Sequence, residues 1–204
     1  MKKIFTLLVL LFSLMTSYPV WATQANAKAE LQTRLNKLDG FYSQFSQVVK
    51  TQEGDLVQEG EGELWISRPY YFNWKLSSPD ELSIISDGKT VWIYTPMLEQ
   101  VTAMSLSNIA DNHLLLLITD SHNSIWDGYQ VTRNNDLFEL MPISQKGQKF
   151  QITVTAEGKI ISFKIIEEDG QNSFYQLTHH KLAKIDESKF TFIIPKGVTL
   201  DDQR

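Results

Sequence analysis

Cysteine is missing from all 204 residues. Its absence excludes a disulfide framework, cysteine-ligated zinc, iron–sulfur clusters and thiol catalysis together. Histidine is scarce, and none of the four, His113, His122, His179 and His180, stands at metal-ligand spacing from carboxylates. The adjacent pair His179-His180 falls on opposite faces of a strand, and solvated or capping imidazoles account for all four. No Gly-x-Ser-x-Gly elbow, His-Glu-x-x-His helix or phosphate loop occurs. Positive charge is in deficit, with 19 Lys and Arg against 24 Asp and Glu and a net charge of −5. That balance argues against nucleic-acid binding, which needs a basic footprint. What is present is ordinary for one globular domain: 42% hydrophobic and 21% charged residues.

Only one long hydrophobic run exists, and it lies at the start. Met1-Lys2-Lys3 is followed by the apolar stretch Ile4 to Leu14, then by Tyr18-Pro19-Val20-Trp21-Ala22. A basic start, an apolar run and small residues at Val20 and Ala22 make residues 1–22 a secretory signal peptide. The run is short for a membrane span, and no stop-transfer pattern follows. A retained anchor is the competing reading. Residues 23–204 are expected to form one domain in the periplasm of a Gram-negative bacterium. Without a cysteine after the run, lipid attachment there is excluded.

The body changes period after its first helix. Leu31, Leu35 and Leu38 recur at helical spacing in 27–38, with Lys28, Glu30, Arg34 and Lys37 placed around the rest of the cylinder, and Asp39-Gly40 ends the segment. From Phe41 the spacing becomes two. Strands are expected at 44–50, 56–67, 70–76, 82–86, 90–94, 98–103, 129–133, 137–141, 149–155, 160–167, 172–180 and 190–194. Asp87-Gly88, Asp127-Gly128, Glu157-Gly158, Asp169-Gly170 and Lys196-Gly197 supply turn chemistry. A sandwich or barrel follows. The exception is 108–119, where a leucine run lacking β-branched residues until its end predicts a second short helix. Glu53, Asp55, Glu59, Glu61 and Glu63 read as a solvated surface, and Glu167-Glu168-Asp169 as a charged hairpin end.

One sheet face is heavily apolar. Phe72, Trp74 and Leu76 share a face, as do Leu64, Ile66 and Arg68, then Phe150, Ile152 and Val154, then Ile161, Phe163 and Ile165. Two short helices are too little to cover that face, so a curved sheet enclosing a roofed cavity competes with an ordinary packed interior. Gly60 and Gly62 fit bending within a strand. Arg68, held extended by Pro69, has inward parity and needs acceptors; the carbonyls ending the leucine helix near Ile118-Thr119 would supply them. An exposed strand-end arginine is the alternative.

Gly62-Glu63-Leu64-Trp65-Ile66-Ser67-Arg68-Pro69 followed by Phe72-Asn73-Trp74 resembles the signature of the periplasmic outer-membrane lipoprotein carrier (LolA) family. Phe41 to Gln47, Ser86 to Tyr94, Glu99-Gln100, Ser188 to Phe192 and Pro195 to Thr199 extend the resemblance across the chain after the signal peptide. It implies a mainly β fold, an incomplete, unclosed antiparallel barrel of about eleven strands with a short helical lid over a hydrophobic cavity. It also implies a latch of Arg68 with Leu35, Ile118 and Thr119. The acyl-chain cavity would be built from Leu64, Ile66, Phe72, Trp74, Leu115 and Ile118, with Phe72 at the mouth. Leu115 stands where an aromatic is common. The implied function is a periplasmic chaperone, not an enzyme. It would act as a monomer without cofactor or metal. Triacylated lipoproteins would come from an inner-membrane ABC transporter and pass to the outer-membrane receptor lipoprotein LolB. A periplasmic sensor module for acyl ligands is the rival; a lipid hydrolase would need a nucleophile–base pair that the sequence does not offer.

Overall fold

Alternating side chains decide the architecture. The computed structural model describes residues 20–108, 113–120, 122 and 124–204, with side chains from residue 26. Twelve strands form one sheet: β1 (Gly40–Lys50), β2 (Leu56–Ser67), β3 (Tyr71–Ser78), β4 (Leu82–Asp87), β5 (Thr90–Thr95), β6 (Gln100–Ser105), β7 (Tyr129–Asn134), β8 (Leu137–Pro142), β9 (Lys149–Val154), β10 (Ile160–Ile166), β11 (Asn172–Lys181) and β12 (Thr199–Gln203). Their order is β12-β6-β5-β4-β3-β2-β1-β11-β10-β9-β8-β7. Neighbours are antiparallel except β12, which runs parallel to β6. β7 and β12 are left as edges, so the sheet curls without closing. Along β3, Phe72, Trp74 and Leu76 are buried while Tyr71 and Lys75 are exposed, and β9 buries Phe150, Ile152 and Val154 on the same inner face.

Connectivity places the helices. β6 sits one strand from one edge, whereas β7 forms the opposite edge. The chain between them must therefore cross the open side of the sheet, and α2 (His113–Thr119) lies in that crossing. Residues 114–119 are all buried, so the leucines fill the interior. Of the helix expected within 108–119, His113–Thr119 is helical, and 109–112 lie outside the described residues. α1 (Val20–Leu35) covers the other half, burying Ala27, Leu31 and Leu35 against β7 and β9. Residues 1–19 lie outside the described residues, and α1 already includes Val20 to Ala22. Among the described residues no helix is long and apolar enough to cross a membrane.

Several expectations need correction. Arg34, expected on the polar side of its helix, is 3% exposed. Its Nε donates to Glu30 at 2.7 Å, and Nη1 donates to Asp136 and to the Val154 carbonyl, each at 2.6 Å. Burial opposes the cation, but these carboxylates outweigh it and hold the guanidinium above its ordinary value. Arg34 also lies over the Phe138 ring at 5.3 Å, so it clamps α1 to the sheet. Ile161 does not share the face of Phe163, because the register shifts between Ile160 and Ser162 and turns Ile160 inward instead. Residues 191–194 form no strand. Phe190 packs on Tyr71 and Phe192 stacks on Trp92, drawing that segment over the outer face before β12 pairs with the edge. His179 is exposed, but His180 is half-buried against Phe41.

Gly62 earns its place by close approach rather than bending alone. A side chain there would collide with the Lys75 carbonyl and the Phe45 ring, and the β2–β3 register also shifts between Glu61 and Gly62.

Replacing Arg34 by Met is expected to lower stability by about 2 kcal/mol, read from urea unfolding, since three charge-assisted hydrogen bonds are lost. Burial, then the charge of Lys159, hold His180 below its ordinary value of 6.5. The folded protein therefore takes up that proton less readily than the unfolded chain. The stability linked to His180 is complete above pH 6.5 and is lost as pH falls through the folded value. His180→Phe should flatten that acid limb in a pH series of thermal unfolding.

Candidate functional site

The interior is closed but not completely filled. A hollow of about 120 Å³ lies beneath α2, walled by Trp74 and Leu76 of β3, Leu82 and Ile84 of β4, and Phe163 and Ile165 of β10. Leu114 and Leu115 roof it, and Tyr175, Gln47 and Gln148 complete the lining. Its floor is aromatic. Trp74 lies 4.5 Å from Phe45 and meets Tyr175 edge-on at 4.9 Å, while Phe163 stacks on Tyr175 at 4.7 Å. Burial pushes the Tyr175 hydroxyl up to about 12, so it stays protonated. A hollow of this size is below the roughly 300–1,000 Å³ of small-molecule pockets. Larger hollows on the surface are more open, such as the one beside Ser144 and Glu168.

The expected cavity residues separate into two groups. Trp74 and Leu115 line the hollow. Leu64, Ile66, Phe72 and Ile118 are packed core beside it, each at most 1% exposed. Phe72, expected at the mouth, is fully buried and does not line this hollow, because β3 parity turns it inward with Trp74 and Leu76. Sequence reasoning passed over Gln47, Tyr175 and the β4 residues. The alternation Phe45, Gln47, Val49 in β1 carried the signal for the first of these.

Arg68 reaches the C-terminal ends of both helices by contacts other than the expected ones. Its Nη1 donates to Asn36 Oδ1 at 3.2 Å, one residue beyond Leu35. Burial pulls its pKa down to about 10, and the nearby charges of Asp120, one residue beyond Thr119, and Asp39 oppose that fall. No hydrogen bond joins Arg68 to Leu35, Ile118 or Thr119 among the described residues, and its Nε is buried without a partner. Thr119 instead donates its hydroxyl back within its own helix, to the Leu115 carbonyl at 2.7 Å and the Leu116 carbonyl at 3.3 Å. Asp120 is pinned as well: its carbonyl accepts from Trp126 Nε1 at 3.0 Å. The cation is thus held by side-chain acceptors and carboxylate fields where the two helices stop.

Among the described residues no three His, Asp or Glu side chains gather as a metal site. The lining offers apolar surface, aromatic rings and two glutamine amides.

Comparison with known proteins bears on this geometry. The model of the family described as outer membrane lipoprotein carrier protein LolA matches residues 36–193. An outer-membrane lipoprotein carrier protein of Yersinia enterocolitica is 47% identical over 206 residues, covering the whole of both chains. One from Yersinia pestis is 50% identical over 182 residues, covering 88% of this chain and 90% of its own. A crystal structure of an uncharacterized conserved protein from Thermus thermophilus matches the fold with a TM-score of 0.54 at 14% identity, over 86% of this chain and 98% of that one.

Truncating the roof tests the hollow. Leu115→Ala is expected to lower stability by about 2–3 kcal/mol while increasing uptake of an apolar fluorescent dye. Chemical unfolding and dye titration read the two effects separately.

Proposed function

The chain belongs to the outer membrane lipoprotein carrier protein LolA family, and from that membership we propose that it shelters the acyl chains of lipoproteins in the space that α2 now fills. The observation that carries this reading is the leucine-rich α2, fully buried inside an unclosed apolar sheet. A structural core helix needs no route out. This one hangs in a crossing between opposite edges, where the sheet leaves a side open.

Solvation supplies the driving force. Each methylene withdrawn from water contributes about 0.8 kcal/mol, so a triacylated chain end is strongly held out of aqueous solution. The hollow of about 120 Å³ is far too small for three acyl chains. Loading therefore displaces α2. If all five side chains of 114–118 reached water, the cost would be on the order of 10 kcal/mol, roughly what a dozen methylenes return. Acyl chains and leucines compete for one space, and the difference sets the grip. Arg68 biases that competition toward closure through Asn36 and the fields of Asp120 and Asp39. Leu35, Ile118 and Thr119 place those partners.

In this reading residues 1–22 direct export and residues 23–204 work as a single monomeric domain in the periplasm. An inner-membrane ABC transporter loads the carrier, and the receptor lipoprotein LolB relieves it of cargo. The carrier binds and releases; it breaks no bond and is not an enzyme.

Arg68→Leu is expected to accept cargo but pass on several-fold less of it, because closure no longer competes as well. A two-step transfer assay with a triacylated lipoprotein and purified acceptor reads both stages. Delivery at the unaltered rate would overturn the role given to Arg68, and failure of the unaltered protein to take up cargo would overturn the carrier reading.

A further inference from the structure

The apolar hollow contains an acceptor that no described group satisfies. Gln47 shares the inward parity of Phe45 and Val49 in β1. Its Nε2 donates to the Tyr175 hydroxyl at 2.9 Å, which fixes the amide plane. Its Oε1 is buried and has no hydrogen-bond partner. That oxygen lies 3.2 Å from the point where a Gly60 Cβ would stand, as does Leu76 Cδ1, so the bare glycine leaves the oxygen room beside a wall residue of the hollow. The other polar lining residue, Gln148, has its Nε2 committed to Glu167, at 3.0 and 3.2 Å from the two carboxylate oxygens.

We propose that Gln47 Oε1 selects cargo by accepting a hydrogen bond from the amide N–H of an N-acylated polypeptide end. The inference rests on the carrier reading and names what that site distinguishes. Apolar walls hold any acyl chain alike, including those of membrane glycerolipids. An ester-linked chain presents only acceptors beside its first methylenes, whereas an amide-linked chain presents a donor. Set against Gln47, the ester leaves a buried acceptor unpaired and the amide satisfies it. A site built to hydrogen-bond its ligand rejects the analogue that lacks the group more strongly than a greasy wall rejects a missing methylene. Gln47 is thus a specificity-determining residue in a cavity whose affinity comes from elsewhere.

The test compares a synthetic tripalmitoyl-cysteinyl peptide with its counterpart N-methylated at the palmitoyl amide, using tryptophan fluorescence of the full protein. The unaltered protein is expected to bind the N–H peptide ~10-fold more tightly. Gln47→Met, of similar length, should bind the two within about twofold, since the acceptor is gone. Gln47→Leu gives the same reading should the Met variant fail to fold. Equal binding of both peptides by the unaltered protein would overturn the inference while leaving the carrier reading intact. A preference that persists in the Met or Leu variant would do the same, because the methyl group's bulk and not the lost donor would then explain it. Uptake of neither peptide by the unaltered protein would overturn the carrier reading and this inference together.

Discussion

Competition for one apolar space governs this structure. The inner face of the sheet is too hydrophobic to meet water; α1 covers one half and the leucines of α2 cover the other. Everything else follows from how firmly α2 is held. Packing alone would bury 114–118 so well that no ligand of modest size could displace them. Acyl chains differ from most ligands because they offer the same kind of surface, so each methylene sheltered offsets part of the leucine surface exposed, and burial of about a dozen of them brings the exchange to balance. A carrier must operate near that balance, since a cavity that held its cargo by many kilocalories would never surrender it.

The open sheet is part of the same arrangement. In a closed barrel, enlarging the interior means breaking ladder hydrogen bonds all round. Here the edges β7 and β12 are not joined, and different elements protect the two halves. α1 is clamped over β7 and β9 by Arg34, whereas the C-terminal segment binds the outer face through Phe190 and Phe192 and ends as β12 on the edge of β6. Neither brace passes through α2. In the proposed reading, α2 is held to the frame by apolar contact and by the field between Asp120 and Arg68, both of which are lost when another apolar body takes its place.

Much of this was legible in the residues, and the failures have physical causes. Period-two alternation located β1 to β11, but not β12, because one face is buried over nearly the whole sheet. The same logic failed at Ile161, where a register shift inserts a residue and exchanges the faces. It failed at 190–194 because aromatic residues there serve as anchors on an outer surface rather than as a strand. Arg34 misled because helical patterning ranks it as polar, while the Val154 carbonyl and two carboxylates make a buried guanidinium acceptable. Trp74, taken from the family motif, and Leu115, taken from the matching lid position, both line the hollow, whereas Phe72 is buried outside that lining, since a motif conveys identity and not depth. Parity and the following proline singled out Arg68. They did not single out its partners, since Thr119 donates back within its own helix and leaves Asn36 and the Asp120 field for the guanidinium.

The position of Arg68 explains why a charge is used at all. A hydrophobic contact at that point would strengthen closure in proportion to the area buried, adding to a leucine cluster already large. The guanidinium adds no comparable term, because the cost of its burial outweighs the attraction of Asp120 and Asp39 and pulls its pKa down to about 10. Its influence also depends on geometry more steeply than packing does: once α2 leaves, the carboxylate following it leaves too, and the cation is free to rehydrate. A latch of this kind adds little to the stability of the closed form yet vanishes completely on opening. The lid therefore distinguishes two states without making either one inaccessible.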